Sequence, residues 1–308
     1  MATEKILNGY YLYRPAAWIS ASDEDASGFL QSQFSNDLSG LRVGEVKYGL
    51  WLDQKGKVHG DSFILRSDEE EHFLMSYATN EASLLEKLNR FIVADDVELE
   101  GLADQHWGIL LLGDGLKFVK NFELGNDGSA ILSIENETVY CFPGRRCQQP
   151  SMELICRSEA LPILETSVVD SCPGIYALSE ATVEGLRVYS GFPKVPIDIG
   201  PTELPQEGGL EKDGVSFNKG CYLGQEVMSR LQSMGQVRRS LRVVVSDQVL
   251  EFGAPIYCEN KKVGVVKSSI SENGRTAGLA LISNSTFEGS ALCVGEPGSG
   301  ILLNLVPS

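Results

Sequence analysis

After Arg239 the helical signals of this chain stop, and that switch constrains its fold more than any other feature. Leu241–Ser246, Pro255–Glu259, Lys262–Ser269, Thr276–Ile282, Ala291–Val294 and Ile301–Val306 are short apolar, β-branched runs of strand length. Asn273-Gly274, between two of them, is the residue pair that a tight hairpin favours, because both of its central residues take φ > 0. Residues 236–308 are therefore expected to form a small all-β domain, a barrel.

Upstream, helical and strand periods mix. Ser22 with Asp25 resembles a capping box, and Ala26, Phe29, Leu30 and Phe34 recur at helical spacing, which predicts a helix from Asp23 to Asn36. Val46–Leu52 and Val58–Leu65 read as strands joined by a turn at Gln54-Lys55-Gly56-Lys57, and His72–Tyr77 as a third. Asn80 is placed to cap a helix with Leu84, Leu85, Leu88, Phe91 and Ile92 on one face. Strands are expected at Val97–Leu102 and Gly108–Leu112, and short strands with tight turns from Gly125 to Cys156. Ser179 opens another helix, with Val183, Leu186 and Ser190 on one side, and Gly191 and Pro193 stop it. From Gly191 to Gly214 the chain is rich in Pro and Gly and reads as irregular; a loop of that length is usually functional or a linker. This succession predicts an α+β fold with antiparallel sheet rather than a repeating βα barrel.

At 308 residues the chain exceeds the usual single domain, so two or three are expected, and 43% apolar residues supply their cores. A net charge of −16 repels phosphate backbones, so direct nucleic-acid binding is not expected. No apolar run reaches membrane-spanning length, and Met1-Ala2-Thr3-Glu4-Lys5 lacks the pattern of a secretory leader, so a cytoplasmic protein is expected. Arg145-Arg146 and Arg238-Arg239 read as solvated pairs beside turns, although a local basic patch would suit an anionic small molecule. The seven cysteines contain no C-x-x-C and His59, His72 and His106 are scattered, so neither a disulfide framework nor a metal site is expected. Most of the cysteines read as small core hydrophobes.

One run departs from this pattern. Lys219-Gly220-Cys221-Tyr222-Leu223-Gly224-Gln225-Glu226 crowds a nucleophile, a cation, an acid, an amide and two glycines together. If Phe217–Cys221 is extended, Phe217, Lys219 and Cys221 share a face, and Lys219 would favour the Cys221 thiolate. Gly220 would allow a tight turn or a close ligand. If Gly224 precedes a helix, Glu226 and Arg230 are spaced for an i,i+4 ion pair that would hold Arg230 for an anionic ligand. The same spacing also fits a strand–turn–helix connection around a buried cysteine. His59 is the nearest base by type, but nothing in the sequence places it near Cys221. Asp61 suits a base or a partner for a ring N–H, or an exposed strand position. Trp18 suits stacking on an aromatic ligand or core packing, and Arg187 a carboxylate or solvent.

The segment from Val215 to Glu226 resembles the signature of the YgfZ-type folate-binding proteins, relatives of the glycine cleavage T-protein, an aminomethyltransferase. Phe29-Leu30-Gln31-Ser32-Gln33-Phe34-Ser35-Asn36-Asp37, Gly56-Lys57-Val58-His59-Gly60-Asp61 and Leu186-Arg187-Val188-Tyr189-Ser190-Gly191-Phe192-Pro193 are similar to the same family, in the same order. The resemblance implies a three-domain ring around a channel for tetrahydrofolate. Its domains would be residues 1–48 with 157–235, 49–156, both α+β, and the β-domain 236–308. It implies a role in assembling or repairing iron–sulfur enzymes, some of them tRNA-modifying, with client or assembly proteins as partners. Cys221 with Lys219 would carry that role, supported by Gly220, Tyr222, Gly224, Gln225, Glu226 and Arg230. Trp18, Asp61, Arg187 and Tyr189 fall at positions associated with folate. The chain departs from the T-proteins at Gly60-Asp61, where they have two aspartates, and at Tyr189, where they have a glutamate. Val183 replaces a second tryptophan of some bacterial members. These departures weaken the expected pterin grip and count against the alternative of a folate-dependent aminomethyltransferase or demethylase. A non-catalytic scaffold for client docking is the other alternative. No cluster held by this chain alone is expected, because such clusters usually take four cysteine ligands.

Overall fold

The computed structural model describes residues 7–272, 274–286, 291–296 and 300–306. Its α+β architecture is built on three sheets. One holds five antiparallel strands in the order Val46–Leu52, Val58–Arg66, His72–Ser76, Ala17–Ser22 and Glu98–Gly101. The second holds six, Tyr176–Ala177, Gly9–Tyr13, His106–Leu112, Ser151–Arg157, Glu137–Pro143 and Ala130–Ile134, antiparallel except for the first pair. The third is a closed barrel of six: Arg239–Ser246, Arg275–Ser283, Lys261–Glu272, Pro255–Cys258, Leu292–Val294 and Ile301–Leu305.

The first two sheets pack face to face. Trp18, Phe63, Phe73 and Met75 from one meet Leu110, Leu112, Phe142 and Ile155 from the other. The outer face of the five-stranded sheet is covered through Phe29, Leu30, Leu84 and Leu88 of the helices Ala26–Gln33 and Glu81–Asn89. The helix Leu161–Ser171 covers the six-stranded sheet with Leu164 and Val168. Each fully buried large side chain contributes about 1.5–3 kcal/mol by leaving water.

Sequence and structure differ in places. The Ser22–Asp25 capping box does not form: the Asp25 carboxylate accepts from the Asp96 amide at 2.8 Å instead, and the helix runs only from Ala26 to Gln33. Asn80 caps its helix as expected, accepting from the Ser83 amide at 3.1 Å, but the helix ends before Phe91 and Ile92. The helix Leu161–Ser171 has no counterpart in the sequence reading; its mixed apolar run shows no clear polar stripe. The expected boundary between residues 48 and 49 falls inside the strand Val46–Leu52, and the boundary at 156 inside Ser151–Arg157. Ala17–Ser22 also pairs with His72–Ser76 across the first of these. In the barrel, Glu272 pairs with Arg275 around Gly274 at φ +77°, while Asn273 lies outside the described residues, as do Met1–Lys5.

Ion pairs fasten the barrel to the long loop after the helix Glu180–Tyr189. Arg239 Nε donates to Glu207 at 2.8 Å, Lys267 pairs with Glu203 at 3.3 Å, and the Ser268 hydroxyl donates to Asp198. Arg239 is thus tied to the loop rather than solvated with Arg238. No helix among the described residues is long and apolar enough to cross a membrane.

Candidate functional site

Residues 215–224 form bends and turns, not a strand, so alternate residues do not share a face. Lys219 points inward and is 7% exposed. Its Nζ donates to the carbonyls of Gln31 at 2.7 Å, Phe34 at 2.8 Å and Asn36 at 2.8 Å. These carbonyls lie at and just past the end of the helix Ala26–Gln33, where backbone acceptors lack helical partners and the helix dipole is negative. An ammonium has three donors, and all three are used. The expected activation of Cys221 by Lys219 is therefore not what the geometry shows: the cation anchors the loop. Burial lowers its pKa to about 8, opposed by the nearby Asp37 carboxylate.

Other residues of the run complete the anchorage. Gln225 Nε2 donates to the Lys219 carbonyl at 3.2 Å, and the Gln225 amide to the Tyr222 carbonyl at 3.2 Å. The Tyr222 ring is buried in the main core, 5.3 Å from Lys219 Nζ, and burial pushes its phenol up to about 12. Gly224 has φ +88°, and a Cβ there would stand 2.6 Å from the Asp53 carbonyl oxygen. Only glycine lets the loop approach the 53–57 turn so closely. Gly220, in contrast, is not required by space: a Cβ there would meet nothing within 4 Å. Cys221 is exposed on the outer side of this anchored loop. Glu226 and Arg230, on the helix Gln225–Met234, are both exposed, and no ion pair joins them among the described residues. His59 approaches Asp53 at 3.4 Å, and no hydrogen bond joins it to Cys221.

The other cysteines differ. Cys141, Cys147, Cys156, Cys172 and Cys293 are buried, and Cys258 is partly so. Burial pushes the thiols of Cys141 and Cys156 up to about 12 and raises that of Cys172.

The positions associated with folate do not meet in one open pocket. Trp18 is fully buried, stacked on Phe73 at 4.9 Å and against His106 and Tyr140 at 5.3 Å each. Asp61 is buried and accepts from the hydroxyls of Tyr48 at 3.0 Å, Ser76 at 3.0 Å and Thr79 at 3.1 Å; burial raises its pKa. Arg187 grips both oxygens of Glu184, at 2.6 and 3.0 Å, and binds Asp198 at 2.7 Å and the Phe192 carbonyl at 2.5 Å. Tyr189 is 51% exposed.

Sequence reasoning missed a second cluster, at Arg145 and Arg146. Neither is a solvated surface arginine. Arg146 Nε donates to Glu153 at 3.0 Å, and its guanidinium lies 4.1 Å over the Tyr13 ring and 3.8 Å over the Tyr77 ring. Glu153, fully buried, also accepts from Tyr13 at 2.6 Å and Tyr77 at 2.7 Å. Arg146 Nη2 is buried with no partner. Burial alone would lower the Arg146 pKa, but Glu153 and the two phenols hold it above the ordinary arginine value. Arg145 pairs with Asp213 at 2.5 and 2.9 Å and lies over Tyr48 at 4.1 Å. Tyr11 stacks on Tyr13 with ring centroids 6.0 Å apart. The only sequence signal was the arginine pair just after the apolar strand that ends in Phe142 and Pro143.

Comparison with known proteins completes this picture. The GCVT N-terminal domain family matches residues 18–115. A tRNA-modifying protein YgfZ from Colwellia psychrerythraea is 25% identical over 278 residues, 89% of this chain and 80% of the relative. An aminomethyltransferase from Bacillus cytotoxicus is 25% identical over 286 residues, 86% of this chain and 75% of the relative. An iron-sulfur cluster assembly factor IBA57 homolog, mitochondrial, from Coccidioides immitis is 24% identical over 307 residues, 90% and 69% of the two chains. The crystal structure of glycine cleavage system aminomethyltransferase T from Bartonella henselae shares the fold, with a TM-score of 0.79 over 98% of this chain and 86% of that one at 17% identity.

Proposed function

We propose that this chain, which is similar to the GCVT N-terminal domain family over residues 18–115 and to YgfZ and IBA57 proteins over most of its length, is a folate-binding accessory protein for iron–sulfur cluster assembly or repair that acts through Cys221. One observation carries this reading. Among seven cysteines, Cys221 is the exposed one, and it sits on a loop fixed by a buried lysine and a glycine contact. A cysteine held at the surface can meet a large partner, which a core cysteine cannot. Clusters usually take four cysteine ligands, so one thiolate would supply a single ligand to a cluster in transit and a client protein the rest. The clients would include tRNA-modifying enzymes.

The Arg146 cluster suits the folate better than the positions picked from sequence. Its buried, unpartnered Nη2 offers a donor to a carboxylate or carbonyl oxygen, and the neighbouring tyrosine rings suit a flat heteroaromatic group. Tetrahydrofolate, when bound, supplies a carrier for one-carbon units. Arg146 would orient it, while Tyr11, stacked on Tyr13, would cover it and restrict water. Asp61 would shape the hairpin without touching the pterin, since three hydroxyls already occupy its carboxylate. That occupancy weakens the case for aminomethyl transfer.

The test is maturation of iron–sulfur clients in cells lacking this protein. The native chain restores client activity; Cys221→Ser does not, while keeping its fold and its affinity for reduced folate in calorimetric titration. Full restoration by Cys221→Ser would refute the thiol's role, and absence of binding to any reduced folate would remove the cofactor.

A further inference from the structure

The space between the two packed sheets opens, at the end away from Arg146, into a cavity of 380 Å³ that contains no residue of the Cys221 loop. Its volume falls in the range of small-molecule sites, about 300–1,000 Å³. Arg157 on its wall and Glu153 of the Arg146 cluster share one strand, four residues and about 13 Å apart.

Charge makes this cavity unusual. Glu71, Glu100 and Glu137 face it together with Arg157. Among the described residues none of the four makes an ion pair, with each other or with any neighbour. Glu71 is steadied by the hydroxyls of Ser20 at 3.1 Å and Ser67 at 2.8 Å. Burial pushes the Tyr140 phenol up to about 12, with Glu71 acting to raise it and Arg157 to lower it, so both charges are felt at one ring. His106, whose Nδ1 lies 3.0 Å from the Leu102 carbonyl, has its pKa lowered by burial and adds no positive charge near neutral pH.

Phe73 and Tyr140 form an aromatic floor. Behind it Trp18 packs on both rings, and its Nε1 is buried with no partner. The hairpin tip that delivers Glu137 is committed to its turn by Glu135 at φ +51° and Asn136 at φ +70°. A glutamate in the left-handed region is held against its own preference, by about 1–2 kcal/mol. Opposite charges that line one cavity with an aromatic floor and do not pair are complementary to a ligand that carries both.

We propose that this cavity binds a small zwitterion, a free α-amino acid, with its ammonium among Glu71, Glu100 and Glu137 over the Phe73 and Tyr140 rings and its carboxylate on Arg157. The excess of carboxylates and the ring faces favour the ammonium end. The guanidinium fork supplies the orientation. This proposal does not depend on the role of Cys221.

The experiment is calorimetric titration of the full chain with each standard amino acid, and with choline and acetate as probes carrying one charge each. At least one amino acid is expected to bind with Kd below about 1 mM, with choline and acetate about tenfold weaker or worse. Arg157→Met, at an exposed side chain, and Glu100→Gln should each weaken that binding about tenfold without changing the circular dichroism spectrum. Absence of binding by any amino acid at about 10 mM would overturn the proposal. Choline binding as tightly as the amino acid, or affinity unchanged in Arg157→Met, would overturn it equally.

Discussion

Two cations turned into the interior of this molecule, Lys219 buried and Arg146 largely so, are satisfied in opposite ways. Lys219 places all three donors on backbone carbonyls and has nothing left to offer. Arg146 lies between two phenol rings with Glu153 as its counter-ion and keeps one buried nitrogen unpaired. The first arrangement is complete within the protein and holds a loop in place. The second is incomplete, and an incomplete buried donor marks where a ligand would be most useful. Sequence reasoning assigned these roles the other way round, with Lys219 as the chemical partner and Arg146 as a surface residue.

The comparison can be broken by removing the counter-ion of Arg146 and the ammonium of Lys219. Glu153→Ala leaves the Arg146 charge buried and unpaired and should cost about 3–5 kcal/mol in urea unfolding. Lys219→Met orphans three carbonyls at the end of the helix Ala26–Gln33 and should cost about 2–4 kcal/mol, while leaving folate affinity unchanged. An equal loss of folate affinity in both variants would erase the distinction between anchor and ligand site.

The pH dependence sharpens it. The folded pKa of Lys219, about 8, lies below its unfolded value of about 10.5, so between these values the unfolded chain binds more protons. The contribution of this group to stability therefore rises as pH increases from about 8 to 10.5. The stability gap between native protein and Lys219→Met should widen over that window. A gap that narrows there would contradict the desolvated ammonium. The smallest effects concern the glycines of the loop. Gly224→Ala forces a side chain into φ +88° against the Asp53 carbonyl and should cost about 1–2 kcal/mol or more. Gly220→Ala, facing open space, should stay within about 0.5 kcal/mol.

Much of the fold was legible in the sequence because its signals are local. Strand-length runs on either side of a turn signal placed Val46–Leu52 and Val58–Leu65, Asn80 and Ser179 marked helix starts through their own side chains, and the absence of helical period after Arg239 pointed to the barrel. Sheet membership was not legible, because pairing of Ala17–Ser22 with His72–Ser76 is a long-range choice that no local pattern encodes. The site divides in the same way. Cys221 stood out by its neighbours, and Gly224 by its place before a helix. The target of Lys219 lies 183 to 188 residues away in the chain, and the rings that flank Arg146, Tyr13 and Tyr77, are far from it in sequence, so neither contact leaves a spacing to read.

The central claim is that the fold leaves Cys221 open to a partner while sealing the cysteines of the core. Timed alkylation of the native protein with iodoacetamide, mapped by peptide mass spectrometry, tests it directly. The account predicts rapid modification of Cys221, slow modification of Cys258, and protection of Cys141, Cys147, Cys156, Cys172 and Cys293 until the protein unfolds. Protection of Cys221 in the folded protein, or modification of Cys141 and Cys156 at the same rate, would contradict it.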